Sequence, residues 1–353
     1  MAIVPVLAAC FMGDGDGEAA NVPGYRVSVP GAFLGRFPPN PYDPEAEVLI
    51  EGASGMAIAE NGQGVFVLDQ RGKQVFYLDL DANLRAVIGR PGEGPGEFEA
   101  PVSIQPDPRG GVRVADPSLT RLSWFGPDGD LREELSTPWP VTNFGILEDG
   151  VPVYPTADQN SLLAVQPGLG HRELGIDASI IPAELGTRPV ERLLGGVLRF
   201  FAVTPDTLLM VQNRNAELFG GWRVALGDSR TRVTDVAPWP LPAWIVRGTR
   251  SGGGVVEREQ QGERIRIRET VPFNSVRVVD RELWLVTGLI DDVLAASIPL
   301  VGGDSASVVL PPEGGIDCLM DAAVLGDRLV VLCEIEVRAY ELDRVPADRF
   351  SRR

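Results

Sequence analysis

IGRPGEGPGEFEAPVSIQPDPRGGVRVADPSLTRLSWFGPDGDLR, residues 88–132, opens with Gly89, Gly92, Gly94 and Gly96, which interrupt regular structure. Phe98 and Pro101 then lead into the apolar runs Val102–Gln105, Val112–Asp116 and Arg121–Phe125. Between them lie Pro106–Gly111, Pro117–Thr120 and Gly126–Gly129, rich in the residues that favour tight turns. Short apolar runs joined this way pair antiparallel, so the stretch predicts one small sheet.

The same unit recurs on both sides. Upstream it reads Gly55–Glu60, Val65–Asp69, Gln74–Leu80 and Leu84–Gly89. Downstream come Val141–Leu147, Val151–Tyr154, Ser161–Gln166 and His171–Leu174, then Val197–Val203, Thr207–Gln212, Gly220–Leu226 and Thr231–Val236. A further unit holds Asn274–Val279, Leu283–Val286, Val293–Ile298 and Ala306–Leu310. The last, Cys318–Leu325, Leu329–Cys333 and Val337–Leu342, lacks an outer strand. Glu45–Gly52 holds the place before Ala53 that Leu84–Gly89 holds before the next glycine-rich crossing, so it is expected to fill that vacancy and close a ring without open edges. Residues 178–196 are expected to carry a short helix. Pro238–Phe273 is an insertion on one face whose Gln260-Gln261-Gly262 turn predicts a hairpin.

The glycine-rich lead, Phe98-x-x-Pro101, Val114-Ala115-Asp116, Arg121 and the aromatic strand around Trp124 resemble an NHL-type β-propeller blade. The resemblance covers this unit closely and the others by spacing. It implies an all-β chain: a six-bladed β-propeller of the NHL or TolB-like kind over residues 45–345, with four-stranded antiparallel blades, a tail at 346–353 and closure by an N-terminal strand. It also implies that Asp116 and Arg121 tie down their own blade. Glycine (41) and proline (30) in a chain of 353 residues suit so many turns.

Met1–Cys10, MAIVPVLAAC, ends in Leu7-Ala8-Ala9-Cys10, which resembles a bacterial lipobox. That implies an exported protein held in the cell envelope by a lipid on Cys10, with residues 11–44 as tether and no other membrane contact. The net charge of −17 opposes nucleic acid and anionic lipid surfaces.

Loops joining the second and third strands of each unit are expected to gather on one face around the axis. They bring Asp69, Arg71, Asp116, Arg121, Asp158, Asn160, Asn213, Arg214, Asp291, Asp292, Glu334 and Glu336 as an acidic ring with three arginines. Oxygen ligands alone suffice for calcium. Asp158, Asn213, Asp291 and Asp292, with Asn160 beside them, are the candidates, as in a gluconolactonase-like Ca2+-dependent hydrolase. Otherwise the chain needs no cofactor. His171 is the single histidine, which excludes a multi-histidine zinc site. Cys318 and Cys333 flank a turn in the last unit; they fit a disulfide and fit two buried thiols equally. No complete catalytic set is visible, so the expected function is a non-catalytic, monomeric binding module for an envelope protein, peptide or glycan, with the calcium hydrolase as the alternative.

Overall fold

The computed structural model describes residues 26–43, 45–158, 161–166, 170–180, 197–204, 207–212, 221–226, 233–239, 254–260, 263–269, 273–279, 282–290, 293–299, 307–311, 316 and 318–345. The described residues are all-β apart from a 3-10 turn at Ala178–Ile180. No helix among them is long and apolar enough to cross a membrane.

Four sheets have four antiparallel strands in sequential order. The first holds Ala53–Ile58, Gly64–Asp69, Gln74–Asp79 and Leu84–Ile88, and the second Ser103–Pro106, Val112–Asp116, Arg121–Phe125 and Leu131–Ser136. The third runs from Gly145–Ile146 to Gly170–Gly175 and the fourth from Val197–Thr204 to Val233–Trp239. An eight-stranded sheet contains Phe273–Val279, Glu282–Ile290, Val293–Pro299 and Ser307–Val309 in one half, and Asp321–Leu325, Arg328–Leu332, Val337–Val345 and Arg26–Phe37 in the other. The expected hairpin is present as Gly254–Gln260 paired with Glu263–Glu269.

First strands make a ring. Ala53–Ile58 neighbours Ser103–Pro106, which neighbours Gly145–Ile146; Val197–Thr204, Phe273–Val279 and Asp321–Leu325 follow, and the last returns to Ala53–Ile58. Sheets standing around an axis in this way are consistent with a β-propeller. Burial follows from it. Gly64–Asp69, covered on both faces by neighbouring sheets, is buried at every residue, whereas the outer strand Leu131–Ser136 reads LREELS and has no buried residue. Apolar clusters fill the gaps between sheets: Phe66, Ile88, Phe98, Ile104, Val114 and Phe125 join the first two, and Leu122, Phe144, Tyr154 and Leu163 join the next pair.

The closing strand is not Glu45–Gly52. Those residues are irregular, and Arg26–Phe37 closes the ring instead, pairing antiparallel with Val337–Val345 from Val27↔Val345 to Phe37↔Val337. Its other edge pairs parallel with Ser307–Val309. Pro30, Gly31 and Gly35 disguise this strand in the sequence, and register shifts fall between Pro30 and Phe33 and between Phe33 and Gly35. Arg36 pairs at 3.1 Å with the buried Glu336, the residue that precedes the partner strand.

A clip recurs at the entry to three sheets. Asp116 follows Ala115, whose carbonyl accepts from Val102 N, and its carboxylate accepts from Glu99 N, Ala100 N and Leu119 N. Asp69 does the same for Glu51 N, Gly52 N and Gly72 N. In the last sheet Cys333 follows Leu332, whose carbonyl accepts from Met320 N, and Cys333 is disulfide-bonded to Cys318 with a Cα–Cα distance of 5.1 Å. Cys318 precedes Met320 by two residues, as Ala100 precedes Val102. The disulfide therefore occupies the position of the aspartate clip. Of the bridge and the two thiols that the sequence leaves open, the structure has the bridge.

Asp116→Ala is expected to lower unfolding free energy by about 2–4 kcal/mol, since three amides lose a charged acceptor. Loss of the disulfide in Cys318→Ser, Cys333→Ser is expected to cost about 3 kcal/mol for a loop of this size. A Cys318→Gly, Cys333→Asp double variant should regain part of that loss in urea unfolding; no recovery would argue against the equivalence.

Candidate functional site

Gly64–Asp69 runs from the turn after the first strand to the turn before the third, so those two turns lie at opposite ends of the sheet. The described members of the acidic ring expected from sequence lie at or beside the second of these ends, and several of them are occupied with structure. Asp69 and Asp116 are buried as clips. Arg121 donates to the carbonyls of Glu93, Gly94 and Glu97, and so ties down the glycine-rich crossing. Arg71 and Glu334 form an exposed ion pair at 3.3 Å across the seam between the first and last sheets. Asp158 accepts from the Thr156 hydroxyl at 2.6 Å within its own exposed turn. Asn160, Asn213, Arg214, Asp291 and Asp292, like Cys10, lie outside the described residues. His171 is exposed, its Nε2 3.2 Å from the Ser136 carbonyl.

A cavity of about 660 Å³ opens at the other end, on the ring axis. Its walls are first-strand residues such as Met56, Ile104, Ile146 and Val276, and its mouth is formed by the first turns of the sheets. Three of those turns share one geometry. Ala59 N, Asp107 N and Leu147 N donate to Gly64 O, Gly111 O and Val151 O, while Gly62 N, Gly110 N and Gly150 N donate back to Ala59 O, Asp107 O and Leu147 O. Each of these three glycines has a positive φ, at 64°, 94° and 82°, a region costly for side chains with a Cβ. The position that follows the first residue of each turn is Glu60, Pro108 or Glu148, and all three line the mouth.

Glu60 is held above the usual carboxylate range by desolvation, with repulsion from Asp107 and Glu148 adding to it. Asp107 is itself fully buried and accepts from Arg109 and Arg113, and Arg113 also bonds Glu133 at 2.9 Å. The Arg109 guanidinium lies 3.8 Å from the Trp124 ring centroid, so this turn is braced on the outside of the cavity. Deeper in the wall, Arg277 is 7% exposed and paired with Asp321 on the neighbouring first strand; its Nη2 also donates to Ser275 Oγ at 2.9 Å. Arg277 Nε and Nη1 are buried with no acceptor. Sequence reasoning missed Glu60, Glu148 and Arg277. The recurrence of Glu before an Asn-Gly or Asp-Gly turn was the available signal for the first two.

The described residues that bring three metal-ligating side chains together are Cys318, Cys333 and Glu336, whose sulfurs are joined in the disulfide. Asp158 is not drawn towards a cluster with them.

No protein-family model matches the chain, and no curated protein matches it. Among solved structures it is similar to a gluconolactonase from Xanthomonas campestris, with 11% identity, a TM-score of 0.49 and coverage of 83% of this chain and 86% of that one. It is also similar to a virginiamycin B lyase from Staphylococcus aureus, with 11% identity, a TM-score of 0.47 and coverage of 82% and 94%. These likenesses carry no functional argument, and the description of the fold rests on the strand order itself.

The raised value of Glu60 has a defined sign. A carboxyl that binds its proton more tightly when folded subtracts from stability once pH rises above the unfolded value of 4.5. Glu60→Gln is therefore expected to stabilise the protein at pH 7, by a small amount because the group is partly solvated, with the difference closing below that value. Urea midpoints of the two proteins across this pH range check it; a gap that widens on acidification would refute the assignment.

Proposed function

We propose that the chain is an exported six-bladed β-propeller that binds a ligand without transforming it, and that the ligand enters the axial cavity. The six blades are the four separate sheets and the two halves of the eight-stranded one, in the order in which their first strands circle the axis. Export is supported by the Cys318–Cys333 disulfide, a bond that persists in oxidising compartments. Anchoring through a lipid on Cys10 belongs to the same proposal.

The observation that carries the reading is the convergence of Glu60, Glu148 and Arg277 on one space of about 660 Å³. That size falls within the ~300–1,000 Å³ typical of small-ligand sites. The end of an envelope peptide or glycan fits such a space, whereas on the opposite face Asp69 and Asp116 are committed to backbone amides.

A calcium-dependent hydrolase is the second reading. It draws on Glu60 and Glu148, whose repulsion a divalent cation would relieve.

Titration of isotope-labelled protein with mixed tripeptides and disaccharides is expected to shift amide resonances at 59–62 and 147–150 and to leave 69–72 and 116–120 in place. Shifts confined to the second set would overturn the reading. Calcium added to chelator-treated protein is expected to leave the thermal midpoint unchanged; a rise lost in Glu60→Gln, Glu148→Gln would put the hydrolase ahead.

A further inference from the structure

Resting on the reading of the axial cavity as a ligand site, we infer that Arg277 is its anion-recognising residue and that the occupant carries a carboxylate with a second oxygen acceptor beside it. Arg277 lies on a first strand, Phe273–Val279, between Val276 and Val278 in the cavity wall. A guanidinium has five N–H donors and no way to lose its charge. Here Nη2 serves Asp321 Oδ1 and Ser275 Oγ, while Nε and Nη1 are left without an acceptor in a residue that is 7% exposed. Buried donors with no acceptor cost free energy, and a bound acceptor removes that cost.

The two free nitrogens differ in position on the guanidinium plane, so they call for two acceptor atoms on the occupant. A carboxylate flanked by a hydroxyl or a carbonyl provides them. A sugar acid and a peptide C-terminus both have this pattern. Nε and Nη1 do not face the cavity as the guanidinium stands, so binding requires the side chain to turn about its Nη2 contacts with Asp321 and Ser275.

Charge sets the choice between anions. Asp321 already offsets the arginine, and Glu60 and Glu148 stand at the mouth. Both anions are repelled by the two glutamates, and a singly charged carboxylate meets about half the repulsion that a dianionic phosphate does. The same two glutamates favour an occupant whose outer end bears hydroxyl or ammonium donors, which again describes a sugar acid or a short peptide.

The test uses the full chain with 15N-labelled arginine, so that the Arg277 Nε–H signal reports directly. Galacturonate and tri-alanine are the acids, and galactose and tri-alanine amide their neutral counterparts. At least one acid is expected to shift the Nε–H signal and to bind more tightly than its counterpart by about 10- to 100-fold, the effect of hydrogen bonds to a charged donor. Galacturonate alone would identify a glycan source, and tri-alanine alone a peptide source. Arg277→Lys, which keeps the charge opposite Asp321 but loses the planar donors, should lose most of that preference; Arg277→Met should lose all of it. Equal binding of acid and neutral forms, with shifts in the 59–62 turn, would leave the cavity reading intact and overturn the role of Arg277. An Nε–H signal unmoved by millimolar acid overturns the inference, and an absence of any shift in the cavity turns removes the cavity reading with it.

Discussion

Pairing of Arg26–Phe37 with the C-terminal strand Val337–Val345 is the contact on which the rest of the molecule depends. Each sheet buries its faces only against its neighbours, so a row of sheets left open would expose an apolar face at each end. Bringing the two ends of the chain into one half-sheet removes both. The cluster at this seam combines Phe37 from the closing strand, Phe76 and Val67 from the first sheet, and Leu294, Val330 and Leu332 from the eight-stranded sheet. The closing strand also contacts the fifth unit, since Val27 packs with Val293 and Val308. Sequence-distant partners must meet for this seam to form, which places it late in folding on grounds of loop-closure entropy.

The clips act at the same level. A crossing enters the first and second sheets as irregular backbone with buried or half-buried amides, and such amides need acceptors. Asp69 and Asp116 meet that need with a carboxylate that reaches back 16 to 18 residues. The last sheet meets it differently, with a covalent bond between Cys318 and Cys333. Two chemically distinct pairings of strand end and crossing thus meet one requirement, and for Asp116 and Cys333 the carbonyl that precedes the clip residue accepts from the crossing in the same way.

Strand positions were largely legible because each depends on local pattern: apolar runs of about five residues between turns rich in glycine and proline. Asp116 was legible as a structural residue from the single well-matched unit, and the hairpin from its Gln260-Gln261-Gly262 turn. The closing strand was not, since Pro30 and the glycines at 31 and 35 break its alternation and its partners are some three hundred residues away. Arg277 was equally hidden. In sequence it is one residue of an alternating strand, and its meaning comes from Asp321, 44 residues on, placed beside it by the ring. In the second-to-third strand loops the commitment of Asp69, Asp116 and Arg121 to backbone groups was hidden for a related reason, since their partners on the crossings lie 16 to 28 residues away, and Asn160, Asn213, Arg214, Asp291 and Asp292 of the same expected site lie outside the described residues.

Availability differs between the two faces because the crossings enter on only one of them. There, long irregular segments such as 89–102 lie against the loops and consume their side chains, as Asp116 and Arg121 illustrate. On the other face the first turns are short and close on themselves through backbone hydrogen bonds, as at Ala59–Gly64 and Leu147–Val151, so Glu60 and Glu148 are not needed to hold them. Side chains released from structural work in this way stand over a cavity whose wall contains a partly satisfied arginine. The proposed site at the end of the axis where the chain does not cross therefore rests on connectivity rather than on any single residue.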